Sequence, residues 1–261
     1  MAVRKQKQSD FLVVDNISLF FGHVKALSGV SFAVSRDETL SLIGPNGAGK
    51  TSLLNCVNRF YIPQSGEISF EGKDLSDVSP HNISKLGIAR TFQGLELFKG
   101  MTVLDNIRLG RHSFIKTGVL SEGLYIGKAR RVELALRKEI EETIIDLLEI
   151  QAIRKAVVGT LPYGLQKRVE LGRGLAMKPK LLLLDEPMAG MNLEEKEDMA
   201  RFIQDIRELW KITVAMVEHD IGVVMDISDR VVVLDYGIKI AEGPPEKIRD
   251  DPKVIKAYIG E

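Results

Sequence analysis

Short apolar runs alternate with stretches of helical period along the 261 residues of this chain. Residues 11–19 and 30–34 read as early strands. Residues 39–43 (TLSLI) read as a buried strand, followed by a glycine-rich turn and a helix that starts near Lys50. Residues 67–71 with Gly72 predict a strand and turn, and residues 88–92 a further strand. The continuous apolar runs at 180–184 and 212–217 suit strands inside a parallel sheet covered on both faces. Residues 230–242 predict a hairpin turning at Asp235-Tyr236-Gly237. In 129–149, Val132, Leu136, Ile140, Ile144 and Leu147 recur at three- and four-residue spacing, which predicts a helix with one apolar stripe and a solvated charged face. The chain shows no repeats and no low-complexity linker.

Composition narrows the class of protein. Apolar residues make up 44% and charged residues 28%, as in an ordinary globular protein, and the length suits one large domain. Lys plus Arg and Asp plus Glu both number 36, so the basic excess of a nucleic-acid binder is missing. The single cysteine, Cys56, cannot form an internal disulfide or a zinc cluster and reads as a packed small hydrophobe. No run approaches the ~18 apolar residues that span a bilayer. The opening MAVRKQKQSD has no apolar core of a signal peptide. The expectation is a cytoplasmic chain without direct membrane insertion, which meets a membrane only through a partner.

Residues 44–51 (GPNGAGKT) fit the pattern G-x-x-x-x-G-K-[ST] between a strand and a helix. Glycines let the backbone curl so that its N–H groups point inward, and the helix start adds positive potential. Lys50 is expected to reach the β- and γ-phosphates and Thr51 to ligate Mg²⁺. The run Leu181–Leu184 then delivers Asp185 and Glu186 to a strand end, where ligands sit in open parallel sheets. Asp185 suits Mg²⁺, and Glu186 suits the attacking water. Alone, such a pair is an ordinary acidic strand end; beside the 44–51 loop it reads as catalytic.

With these motifs the chain, from about Phe11 to Glu261, resembles an ABC transporter nucleotide-binding domain. The ordered landmarks are Phe21, GPNGAGKT at 44–51, Gln93 in RTFQ, LPYGLQKR at 161–168, LLLLDEP at 181–187, AGMN at 189–192 and His219 in VEHD. The resemblance implies an α/β fold: a phosphate-loop ATPase core with a mainly parallel sheet, an N-terminal antiparallel β subdomain and a helical signature subdomain at about 94–178. A flexible tail is expected at 1–10. It implies that Gly44, Pro45, Asn46, Gly47, Ala48, Gly49, Lys50, Thr51 and Ser52 hold ATP, with Phe21 stacked on adenine unless it is a strand-edge core aromatic. It implies that Gln93 touches the Mg²⁺ or water site unless it is a surface glutamine, and that His219 reaches the γ-phosphate. The catalytic set is then Glu186, His219, Gln93 and Lys50, and the metal set Thr51, Gln93 and Asp185. Tyr163 and Gly164 would face the ATP held by a second ATPase chain.

Two segments depart from the family pattern. The signature, commonly LSGGQ, is here Leu161-Pro162-Tyr163-Gly164-Leu165, so Pro162 removes a hydroxyl and a backbone donor. Asn192 stands where the family commonly has Asp. The ending HDIGVVMDISDRVVVLDYGIKIAEGPPEKIRDDPKVIKAYIGE, LPYG, EPMAGMN and an extra stretch around 111–139 resemble the larger ATPase of branched-chain amino-acid importers. Urea or amide importers share these features, and lipopolysaccharide exporters share the ending. The implied partners are a second ABC ATPase subunit, identical or different, and integral permease subunits that hold the chain at the cytoplasmic face of the membrane. A soluble ABC ATPase of DNA repair or translation would carry two cassettes or a coiled coil. A phosphate-loop kinase would lack His219 and the signature.

Overall fold

The computed structural model describes residues 10–91, 94–112 and 128–259. Most of the tail expected at 1–10, part of the 111–139 stretch, Gln93 and the last two residues lie outside the described residues. The contacts separate two units: residues 1–90, 180–187 and 203–261, and residues 91–179 and 188–202.

The first unit holds two sheets. β1 (Asp10–Phe21) pairs antiparallel with β2 (Val24–Ser35) and with β4 (Ser65–Phe70), and β5 (Lys73–Asp74) closes the order β2-β1-β4-β5. The second sheet adds β3 (Thr39–Ile43), β6 (Ile88–Arg90), β7 (Leu181–Asp185), β8 (Thr213–Val217), β9 (Arg230–Asp235) and β10 (Ile238–Gly243), in the order β10-β9-β3-β8-β7-β6. Its pairs are parallel except β9 with β10. Every residue of β3, β7 and β8 is buried, as their unbroken apolar runs predict. The hairpin turns at Tyr236-Gly237, both at positive φ. The strand expected over 88–92 ends at Arg90.

α1 (Lys50–Val57) sends Leu53, Leu54, Cys56 and Val57 into a core shared with side chains of both sheets. Cys56 is fully buried, and that burial pushes its thiol pKa up to about 12, against a weaker opposing pull from Arg59. It packs as a hydrophobe. α2 (Pro80–Ile83), α7 (Ile221–Ile227), α8 (Pro245–Arg249) and α9 (Pro252–Ile259) are the other described α-helices that lie wholly within this unit.

The second unit is helical, with α3 (Val103–His112), α4 (Lys128–Ile140), α5 (Tyr163–Ala176) and the start of α6 (Leu193–Trp210). After α4 the backbone widens into a π turn at Glu141–Ile145. The extra residue in that turn rotates the apolar stripe. Ile140, Ile144, Ile145 and Leu148 are buried, while Leu147, placed on the stripe by helical period, is only half-buried. Leu136 is half-buried as well, and the Val132 side chain lies outside the described set.

Candidate functional site

The loop 44–51 leaves the carboxyl end of β3 and enters α1, with Gly44, Gly47 and Gly49 at positive φ. Gly44 cannot be replaced without movement, because a Cβ there would lie 2.0 Å from the Leu234 carbonyl oxygen. The buried Lys50 ammonium donates to the carbonyls of Gly44 at 2.7 Å and Pro45 at 2.9 Å. Burial lowers the Lys50 pKa, and the carboxylates of Glu186 and Asp185 oppose that shift. Lys50 therefore sits within the field of both acids. Thr51 and Ser52, in the first turn of α1, are half-buried.

Strand order explains how the acids meet this loop. β3, β8, β7 and β6 are neighbours, and Leu42, Val217 and Asp185 lie in one register. The segments that follow them emerge together at the carboxyl edge of the sheet. Asp185 is fully buried. Arg90 donates from Nη2 to Asp185 Oδ2 at 2.7 Å and from Nη1 to Asn55 Oδ1 at 2.6 Å. The second oxygen, Asp185 Oδ1, is buried with no hydrogen-bond partner among the described residues. A buried carboxylate oxygen left without a partner suits a cation.

Glu186 adopts a left-handed backbone with φ 51, rare for a residue with a side chain, and its N–H donates to the Val217 carbonyl at 2.9 Å. This turn carries its carboxylate off the strand line. Glu186 Oε1 lies 2.8 Å from His219 Nε2. The loop bearing His219 is held by Glu218, whose carboxylate accepts from the His219 N–H at 2.8 Å. Among the expected site residues, Lys50, Asp185, Glu186 and His219 thus converge. Phe21 ends β1, and the residue is 47% exposed, which excludes a core aromatic.

The signature lies in the second unit. Pro162 precedes α5, which begins at Tyr163 without a side-chain cap. A Cβ on Gly164 would meet Glu195 Oε1 at 2.2 Å, so glycine makes room for that carboxylate. The Tyr163 ring lies against Gly190, 3.2 Å from where its Cβ would stand. Asn192 Oδ1 accepts from the Glu195 N–H at 2.9 Å, and Glu195 Oε2 accepts from the Asn192 N–H at 3.0 Å.

Known proteins bear the same pattern. The sequence profile of the family described as ABC transporter matches residues 27–189, and that described as branched-chain amino acid ATP-binding cassette transporter matches residues 239–261. The high-affinity branched-chain amino acid transport ATP-binding protein BraF of Pseudomonas aeruginosa is 39% identical over 250 residues, spanning 96% of this chain and 98% of that protein. The chain belongs to the ABC transporter family. LivG of Escherichia coli, named for the same kind of transport, is 38% identical over 252 residues, spanning 96% of this chain and 98% of that protein. A nucleotide-free ATP-binding cassette from an ABC transporter superposes with a TM-score of 0.83 at 32% identity, covering 97% of this chain and all of that one (100%). This chain is accordingly an ABC transporter ATPase.

Within this ABC cassette, the departure at Asn192 has a local account. Asn192 and Glu195 form a reciprocal cap on the first turn of α6, and Asn caps a helix about as well as Asp. Asn192→Ala is expected to lower stability by about 1 kcal/mol and Asn192→Asp to leave it within a few tenths. Urea denaturation midpoints check this, and an unchanged midpoint in Asn192→Ala would contradict it.

The motifs did not single out Arg90, Asn55 and Glu218. Arg90 opens the RTFQ segment that ends in Gln93, and that segment is the one sequence signal near it. Nothing in the order of the letters ties it to Asp185, 95 residues away.

Proposed function

We propose that this chain is the motor subunit of an importer for branched-chain amino acids, in which ATP hydrolysis drives the membrane subunits. The observation that carries the reading is the convergence of Lys50, Asp185 and the hydrogen-bonded pair Glu186–His219 at one sheet edge. Similarity to BraF and LivG along nearly the whole chain supports the solute class.

The loop 44–52 binds the phosphates of ATP with its N–H groups and Lys50, and Phe21 stacks on the adenine. Glu186 accepts a proton from the attacking water as its oxygen bonds to the γ-phosphorus and the bond to the β–γ bridging oxygen breaks. His219 orients the Glu186 carboxylate and faces the γ-phosphate. Thr51, Asp185 and Gln93 would hold Mg²⁺, which when bound offsets phosphate charge. The Asp185 oxygen left without a partner fits that role.

Two such cassettes close head to tail. Each ATP lies between the 44–51 loop of one and the signature of the other, at Tyr163 and Gly164 within a helical subdomain around 94–178. ATP favours the closed pair by binding it better, and release of products reopens it. Pro162 leaves this chain's signature without its hydroxyl, which favours a different second ATPase with a regular signature. Permease subunits hold the pair at the cytoplasmic face of the membrane. Among the described residues no helix is long and apolar enough to cross a membrane.

The test is reconstitution of the complex that co-purifies with this chain from membranes. ATP-dependent uptake of leucine, isoleucine and valine into vesicles is expected. Uptake of urea or a short amide instead would overturn the solute class, and a complex with no integral membrane subunit would overturn the transport role.

A further inference from the structure

The hairpin between β1 and β2 sets Phe21 opposite Val24, with Gly22 and His23 in the turn. Two residues further along β2, Ala26 lies against the phosphate loop: a Cβ on Gly49 would stand 2.4 Å from the Ala26 carbonyl oxygen. At ~3.3 Å per strand residue, the Phe21 position is about 7 Å along the strand from the phosphate cradle. The exposed Phe21 has two exposed apolar neighbours, Val24 opposite it in the hairpin and Tyr61 in ring contact. Exposed apolar clusters of this kind mark ligand or partner sites.

The Phe21 ring is not held by its own strand alone. Tyr61 meets it edge to face, with centroids 5.1 Å apart and an interplanar angle of 76°. Three residues on, the Gln64 carboxamide grips the backbone of Phe20. Its Oε1 accepts from the Phe20 N–H at 2.8 Å, and its Nε2 donates to the Phe20 carbonyl at 3.1 Å. The Gln64 N–H also donates to the Ser18 carbonyl at 2.9 Å. The side chain thereby extends the β1–β4 ladder past its last pair, Ser18 with Ser65. The same segment is tied to α1, because the Tyr61 N–H donates to the Asn55 carbonyl at 3.1 Å. Since α1 begins at Lys50, one short chain segment spans from the phosphate loop to the aromatic ring.

We propose that Tyr61 and Gln64 are positioning residues of the adenine site, fixing the orientation in which the exposed Phe21 ring is presented to the base. This rests on the reading of Phe21 as the adenine-stacking residue. An edge-to-face pair orients the ring through its quadrupole. A preset ring spares the nucleotide the cost of ordering it on binding. Tyr61 meets Phe21 and Gln64 holds Phe20, so the expected effect falls on the base half of the ligand.

The test uses the full chain and calorimetric titration with two probes, ATP and inorganic tripolyphosphate, the second reporting the phosphate loop only. Tyr61→Ala is expected to weaken ATP about three- to tenfold and to leave tripolyphosphate unchanged. Tyr61→Phe keeps the aromatic ring and is expected to restore ATP affinity, and Gln64→Ala to shift ATP in the same direction as Tyr61→Ala. Native ATP affinity in Tyr61→Ala, or equal loss for both probes, would overturn the inference. Phe21→Ala separates the two levels. If it weakens ATP while Tyr61→Ala does not, the positioning role fails alone. If Phe21→Ala leaves ATP affinity unchanged, the adenine reading fails and the positioning role falls with it.

Discussion

Glu186→Gln is expected to bind ATP with native affinity and to hydrolyse it at least about 100-fold more slowly, the low end for loss of a general base. The substitution keeps the volume of the side chain. Its amide also keeps a hydrogen-bonding partner for His219, which now stands 2.8 Å from Glu186 Oε1. The left-handed backbone at Glu186 is tied by its own N–H to Val217, so it does not depend on the carboxylate. What disappears is the ability to take a proton from water. Phosphate release under saturating ATP, beside a nucleotide titration, measures both halves. Near-normal turnover would remove Glu186 from the role, and lost ATP binding would mean that the carboxylate shapes the pocket instead.

Lys50→Ala acts on the other half of the reaction. Hydrogen bonds to charged groups contribute about 1.5–3 kcal/mol, so ATP affinity is expected to fall about 10- to 150-fold. The ammonium lies under the loop, bonded to the Gly44 and Pro45 carbonyls. Burial lowers its pKa, and the two acids nearby oppose that shift. Removing it strips the loop of its fixed positive side chain and leaves those acids facing the phosphates uncompensated. A titration with unchanged ATP affinity would contradict this, and a thermal melt of the same sample shows whether the loop change unfolds the protein.

Much of the site was legible because its parts are local. A glycine-rich loop after a buried strand and before a helix can be read from eight consecutive letters, and the structure places that loop between β3 and α1. The all-apolar runs ending in Asp185 and preceding Glu218 are likewise consecutive, and they form β7 and β8 as read. Other parts depend on contacts across the chain. Arg90 reaches Asp185 because β6 and β7 are neighbours with Arg90 opposite Leu183. Tyr61 reaches Phe21 because Gln64 prolongs a ladder. The helix after Lys128 shows a different gap: period alone placed Leu147 on the apolar stripe, and one π turn moved that place to Leu148.

By itself, the sequence determined an α/β cassette of the ABC family, a phosphate loop at 44–51 and two acids at 185–186, since each rests on residue types in unbroken order. Only the tertiary structure decided how those residues are paired. It seats Asp185 on Arg90 with one oxygen left without a described partner, sets Glu186 against His219, makes Asn192 a helix cap, and stands Phe21 on Tyr61. The physical reason is that a strand's pattern states which faces are buried, while the order and register of strands choose which distant side chains meet.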